Sequence, residues 1–166
     1  MDFVLWAALL SGFIATLVMT AMIKMSTAAG MTEMPSFELM TGSMMSGDEK
    51  TAKTIGAVIH YVMMGTIVFG IIYALLFQAF DSASWLTGLT IGIVHGIVIG
   101  VMFMPMMPAM HPRMGEPAVI GEQTGEIRLS SPGIMGKNWG AMTPIGVLMG
   151  HAVYGVVLAL LYDAFV

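Results

Sequence analysis

The chain contains no cysteine and few charged residues. Asp, Glu, Lys and Arg make up 10% of its 166 positions, against 57% for hydrophobic residues. Without cysteine there is no disulfide, no thiolate metal ligand and no thiol nucleophile. A net charge of −4 with only six basic residues gives no basic surface for nucleic acid. Long apolar runs remain, so the composition predicts segments that span a bilayer.

Four stretches lack Asp, Glu, Lys and Arg and reach the ~20 residues that a helix needs to cross a bilayer. They are Phe3–Ile23, Thr54–Phe80, Ser82–Met110 and Asn138–Tyr162. The first has no basic start and exceeds the ~7–15 apolar residues of a secretory signal, so we expect it to be retained. The sequence predicts an all-α, four-helix transmembrane bundle that forms one domain over residues 1–166.

All six basic residues lie between the first and second stretches or between the third and fourth. Because basic loops stay on the cytoplasmic side of the membrane, we expect loops 24–53 and 111–137 to be cytoplasmic and both termini to lie outside the plasma membrane. Interfacial tryptophans anchor spans at the headgroups. We expect Trp6 and Trp85 at the outer interface and Trp139 at the inner one.

Small residues recur every four positions on two stretches, a spacing that lets helices in lipid approach closely. On the third stretch they are Gly88, Gly92, Gly96 and Gly100. On the first stretch they are Ala8, Gly12, Thr16 and Thr20. We expect these two rows to pack against each other.

The second and fourth stretches align, residues 65–80 with 150–165, with eight identities in sixteen positions. The alignment matches Gly65 and Gly70 with Gly150 and Gly155, which we also expect to pack helices. Residues 3–80 and 82–166 would then be two copies of one helical hairpin. Because both copies have the same orientation, their pseudo-twofold axis would lie along the membrane normal.

Proline and glycine mark the two inner loops. Pro35–Met40 has proline near a helix start followed by apolar positions, which predicts a short amphipathic helix on the membrane surface. Pro105, Pro108 and Pro112 are expected to end the third helix. Gly121–Gly136 has no helical period and is expected to form an irregular cap over the inner mouth.

Histidines inside spans are the first candidates for chemistry, since ionisable side chains in a membrane are usually functional. His95 and His151 lie at similar depths and could face each other, whereas His60 lies ~9 Å from the middle of its span toward the cytoplasm. The pair could ligate haem, hold a soft metal or relay protons. Hydrogen bonds between helices explain the same residues without any ligand.

Methionine is abundant, with 20 residues in the chain. Met102, Met104 and His111 belong to a cluster at the inner end of the third stretch, and thioether and imidazole ligands suit copper(I). Methionine is also an adaptable apolar filler. Copper and haem are therefore both possible cofactors on the sequence alone.

No catalytic pattern of a common enzyme class is present. The spans contain no carboxylate, so no acid/base pair lies within the membrane, and no serine-hydrolase, zinc-protease or phosphate-loop motif occurs. The sequence favours a protein that is not an enzyme.

Several short motifs resemble those of a widespread uncharacterised family of small prokaryotic four-helix membrane proteins. The residues are Met34-Pro35, Met104-Pro105-Met106, Gly140-Ala141-Met142-Thr143-Pro144, His151 and Tyr154-Gly155. The resemblance implies a plasma-membrane location and a four-helix fold. It implies no activity, substrate or cofactor.

The glycine row of the third stretch suggests how such a protein could act. Four-residue steps rotate it by ~40° each around a helix, so we expect no single neighbouring helix to cover all of it. The leading hypothesis is therefore a protein that acts by helix packing, as a homo-oligomer or an accessory subunit of a larger membrane complex. The alternatives are a His/Met copper-binding or haem-binding protein and a small permease.

Overall fold

Four helices long and apolar enough to cross a membrane form the fold of the computed structural model, which describes residues 1–115 and 127–166. The helices are α1 (Leu5–Ala28), α2 (Phe37–Gly42), α3 (Glu49–Phe80), α4 (Trp85–Met110) and α5 (Thr143–Phe165). A 3₁₀ turn at Ile134–Trp139 precedes α5. The expected all-α architecture, with four helices long and apolar enough to span a membrane, is confirmed.

Helix α3 begins five residues before the uncharged stretch that predicted it. The Asp48 carboxylate caps its first turn by accepting a hydrogen bond from the Thr51 backbone N–H at 2.8 Å. At 1.5 Å per residue the helix is about 48 Å long, more than the hydrocarbon thickness of a bilayer. Its first turns, with Glu49, Lys50 and Lys53, can therefore extend into water.

Helix α4 does not end at its prolines, contrary to expectation. It continues through Pro105 and Pro108 to Met110. The π-helical turn Ile99–Phe103 ends two residues before Pro105. This wider turn accommodates a residue that lacks an N–H and whose ring would clash with the carbonyl four residues earlier. The chain leaves the helix at His111, which is extended before Pro112.

The two rows of small residues pack on different partners from those expected. Helix α1 contacts α3 and α5, and α4 packs along α5. Helices α1 and α5 are therefore the central pair of the bundle. Gly12 of α1 lies against Gly65 and Gly70 of α3, while Gly88 of α4 lies against Gly155 of α5. Each row meets the small residues of the next membrane-length helix along the chain, α3 for α1 and α5 for α4.

Trp139 is not an interfacial anchor. It is only 1% exposed, and its Nε1 donates to Ser130 Oγ at 2.9 Å. Trp6 and Trp85 are each 56% exposed, as outward-facing anchors require. Trp139 instead packs into the end of the bundle at which α5 begins, next to the segment 127–138. Residues 121–126 of the expected cap lie outside the described residues.

The predicted short helix of the first loop is present as α2, and it packs on the start of α3. Gly42 of α2 touches the Ala52 carbonyl, and Gly56 touches the Glu38 carbonyl. No side chain fits between the two backbones at these points. The glycines thus fix α2 against the start of α3, which explains why Glu38 and Leu39 are buried.

Candidate functional site

Two imidazoles lie in contact within the bundle. The ring centroids of His95 on α4 and His151 on α5 are 4.5 Å apart, and the ring planes are inclined by 75°. Three glycines of α4, Gly88, Gly92 and Gly96, allow this approach. A Cβ on Gly92 would overlap the His151 carbonyl oxygen, and one on Gly96 would lie 3.2 Å from the His151 Cβ. Close packing of the helices therefore positions the pair.

Aromatic side chains of α3 enclose His95 on its other side. The Phe69 ring centroid lies 4.1 Å from that of His95, and the Tyr73 hydroxyl is 3.1 Å from His95 Nδ1. Tyr73 also meets the Tyr154 ring edge-on at 5.2 Å. Helices α3 and α4 therefore meet around a hydrogen-bonded Tyr–His pair within an otherwise apolar region.

Hydrogen bonding defines the proton position on one of the two imidazoles, that of His151. His151 Nδ1 is 2.8 Å from the Val147 carbonyl oxygen, which can only accept, so Nδ1 carries a proton. A neutral His151 then has a free lone pair on Nε2. On His95, Nδ1 faces the Tyr73 hydroxyl, while the buried Nε2 has no hydrogen-bond partner among the described residues. An unpartnered buried nitrogen is costly, which makes His95 the least satisfied side chain of the site.

His60 is held at a separate place in the bundle. Its Nε2 lies 2.9 Å from Thr20 Oγ1 of α1, and its ring stacks on Phe37 at 4.6 Å. The ring contacts seen in the described part of the chain do not join it to His95 or His151. The three histidines thus form a pair and a separate third residue, the arrangement that their depths in the sequence predict.

The methionine cluster of the third stretch is not gathered around the histidine pair. Met102 is 56% exposed on the outer face of α4, whereas Met104 is buried near Gly136. Both ring nitrogens of His111 already have backbone partners. Nε2 lies 2.9 Å from the Met40 carbonyl oxygen, and Nδ1 accepts a hydrogen bond from the Arg113 backbone N–H. Among the described residues, no three His, Cys, Asp or Glu side chains are grouped to hold a metal ion.

All four glycines of the α4 row are covered within the chain. Gly88, Gly92 and Gly96 lie on α5, and Gly100 lies against the Met135 sulfur of the 3₁₀ turn. The expectation that α5 alone would not cover the row is right, but the remaining cover comes from the same chain rather than from a partner. The row is therefore no argument for an oligomer.

An ion pair at the inner end of the bundle was not predicted. Glu38 Oε1 accepts hydrogen bonds from Lys24 Nζ at 2.6 Å and from the Tyr61 hydroxyl at 2.8 Å. Burial raises the pKa of the Glu38 carboxyl, but hydrogen bonds from Lys24, its own backbone N–H and Tyr61 lower it to about 2 overall. These residues come from three helices, and no spacing rule in the sequence links them.

The Glu38 carboxylate should make the fold sensitive to acid. Its pKa in the fold lies below the ordinary value of 4.5, so it contributes stability above pH 4.5, and that contribution is lost as the pH falls toward about 2. We expect the thermal midpoint in detergent to fall between pH 6 and pH 3. Glu38→Gln, which does not titrate, should show a smaller fall. Equal falls in both proteins would contradict the assignment.

The fold and the site define a small helical protein with four helices able to cross a membrane and a histidine pair in its interior. A family model described as "Family of unknown function (DUF6789)" matches residues 3–120. The match covers most of the chain, so the protein belongs to this family. The expected membership in an uncharacterised family is confirmed. No curated protein and no solved structure matches the chain.

Proposed function

We propose that the protein is a small, non-enzymatic permease of the plasma membrane that moves protons through its histidine pair. The observation that carries the proposal is His95, which stands between the Tyr73 hydroxyl and the His151 ring and has a buried, unpartnered Nε2. Ionisable side chains within membrane segments, histidine among them, mark functional paths that include proton relays.

Imidazole suits this task because it can take a proton on one nitrogen and release one from the other. In the proposed relay, the Tyr73 hydroxyl passes its proton to His95 Nδ1 as it takes up another from water, and His95 Nε2 releases its proton to the lone pair on His151 Nε2. The His151 imidazolium then gives up that Nε2 proton to water and returns to its neutral Nδ1–H form, so one proton enters for each that leaves. A small ring rotation would complete the transfer, since the rings already touch. On the side of loops 24–53 and 111–137, His60 with Thr20 offers the next polar groups, and the proposed relay requires water to bridge the remaining intervals.

The geometry favours this function over haem or copper at the same residues. Two imidazoles that ligate opposite faces of a haem have the macrocycle between them, whereas the His95 and His151 rings are in contact. A His/Met copper site there would need thioethers close to the pair. Met102 instead faces outward and Met104 packs near Gly136.

A role in assembly, as an oligomer or an accessory subunit, has lost its main support because the chain covers its own glycine row. The outer faces of α3 and α4 carry bulky side chains such as Val62, Ile72, Val94 and Val101, which are exposed. Faces of this kind suit contact with lipid acyl chains. We therefore propose that the lipid bilayer is the principal partner of these faces.

We further propose that loops 24–53 and 111–137 are cytoplasmic, because they carry all six basic residues. The Met1 amino group pairs with Asp81, so the N-terminus and the α3–α4 turn share one end of the bundle. That end would face outward. The single membrane domain would thus present the Glu38 ion pair to the cytoplasm.

The proposed duplication of one hairpin finds support in two matching contacts. Gly70 of α3 packs on Gly12 and Ala8 of α1, and Gly155 of α5 packs on Gly92 and Gly88 of α4. Gly70 and Gly155 are equivalent in the sequence alignment. The departure from twofold symmetry is also clear: α1 and α5 pack along their lengths, whereas α3 and α4 meet much less.

Proton flux in liposomes tests the proposed function. Purified protein is reconstituted with a trapped pH dye, and a potassium diffusion potential drives protons inward. We expect flux at least about tenfold above that of empty liposomes, and His95→Gln should remove most of it because an amide cannot relay protons through the side chain.

His111→Gln is the matched control, since His111 is a buried histidine outside the pair and a glutamine amide can still donate to the Met40 carbonyl. It should keep wild-type flux. Background leak from the wild-type protein would refute the proposal, and so would equal flux from wild type and His95→Gln.

A further inference from the structure

A second unusual feature is a cavity of about 210 Å³ at the inner-loop end of the bundle. It lies between the last turns of α1 and the first turns of α5, beneath the segment that follows α1. Five of its twelve lining residues are methionines, and none is charged. The five are Met22, Met31, Met34, Met142 and Met149.

This share of methionine is high even for this chain. Methionine accounts for 20 of 166 residues, about one in eight, against five of twelve around the cavity. Methionine used as an apolar filler removes voids by adapting to them. Here the thioethers instead line an open pocket that they leave unfilled, which needs an explanation beyond filling.

The cavity is held by hydrogen bonds between two segments that are distant in the sequence. The Thr32 and Thr143 hydroxyls are 2.7 Å apart, and the Glu33 N–H donates to the Trp139 carbonyl at 2.7 Å. These bonds hold the segment after α1 over the start of α5. They bring Met31 and Met34, which no sequence spacing connects with α5, to the same cavity as Met142.

The methionines differ in their freedom to move. Met34 is 5% exposed and forms the fixed wall of the cavity, while Met31, Met142 and Met149 are about half exposed at its rim. A flexible thioether at the rim can turn inward toward a bound ion. Three rim sulfurs and a fixed one would give a coordination shell without carboxylate or imidazole.

We propose that this cavity binds a soft monovalent metal ion, Cu(I), through methionine sulfurs. Thioethers select Cu(I) over hard cations such as Mg²⁺ and Ca²⁺, which need oxygen ligands. The site is distinct from the histidine pair, and from the methionine cluster of α4 that the sequence suggested. It requires no proton movement and goes beyond the proposed permease function.

Binding of Ag(I), a redox-stable probe for a Cu(I) thioether site, tests the inference. Purified protein in detergent is titrated with Ag(I) by calorimetry. We expect one equivalent to bind, and the combined Met31→Leu, Met142→Leu and Met149→Leu variant to weaken binding at least about tenfold, because leucine has no donor atom. Leucine keeps the apolar volume, and these three rim positions are too exposed for the exchange to unfold the bundle.

The α4 cluster supplies a matched control: Met102→Leu, Met106→Leu and Met110→Leu change three equally exposed methionines elsewhere. This variant should bind Ag(I) as the wild type does, and X-ray absorption of the Cu(I)-loaded wild type should show a sulfur shell. Absence of binding to the wild type, equal losses in both variants or a nitrogen shell would each overturn the inference. His95→Gln should leave Ag(I) binding unchanged, so this result is independent of the proton-flux test.

Discussion

Gly155→Ala is expected to destabilise the packing of α4 on α5 strongly. A Cβ at this position would overlap the Gly88 carbonyl oxygen and lie 3.1 Å from the Gly92 Cα. Backbone atoms cannot move aside as a side chain can, so α4 and α5 must separate. Overpacking typically costs about 1–3 kcal/mol, and we expect the upper end of that range or more. Unfolding by SDS titration, followed by circular dichroism, measures the free energy of unfolding.

Gly146→Ala is the matched control because it adds the same methyl group to the same helix. Nothing lies within 4 Å of a Cβ placed there. Alanine also favours the helix over glycine, so we expect a stability equal to that of the wild type or slightly higher. Equal losses from Gly155→Ala and Gly146→Ala would show that α4 and α5 are not in backbone contact.

Gly56→Ala is expected to release α2 from the start of α3. The added Cβ would overlap the Glu38 carbonyl, which leaves α2 no way to dock. Because the chain has no cysteine, Leu39→Cys provides a single labelling site on the buried face of α2. We expect maleimide to label it roughly 10–100-fold faster in the Gly56→Ala background, as a cost of about 1–3 kcal/mol implies.

Gly47→Ala tests whether any glycine in this region would have the same effect. Its Cβ would meet only the side chain of Arg113, at 3.2 Å, and that side chain can shift. The labelling rate of Leu39→Cys should stay near its original value in this background. Fast labelling in both backgrounds would mean that α2 is not held by its contact with Gly56.

The four spans could be predicted from the sequence because uncharged stretches of sufficient length have few alternatives in a membrane protein. The helix partners could not. The rows that contain Gly12 and Gly92 have the same four-residue spacing. Spacing shows that a helix face consists of small residues, but it does not show which helix packs on that face. The structure pairs each row with glycines of the next helix, Gly70 and Gly155.

The candidate site was predictable only in part. Counting residues along each span places His95 and His151 at similar depths, but helix rotation decides whether they meet, and rotation depends on the glycine contacts. Tyr73 was missed because a tyrosine within a span is an ordinary apolar residue until a partner for its hydroxyl is known. The methionine cavity was missed because its walls come from distant segments that Thr32 and Thr143 join.

The central claim is that the buried His95 imidazole carries protons through the bundle. The most direct measurement is the ratio of proton flux between liposomes that contain wild-type protein and liposomes that contain His95→Gln, at equal protein content and the same imposed potential. The account predicts a ratio of about ten or more. A ratio of one, with both proteins folded, would contradict it.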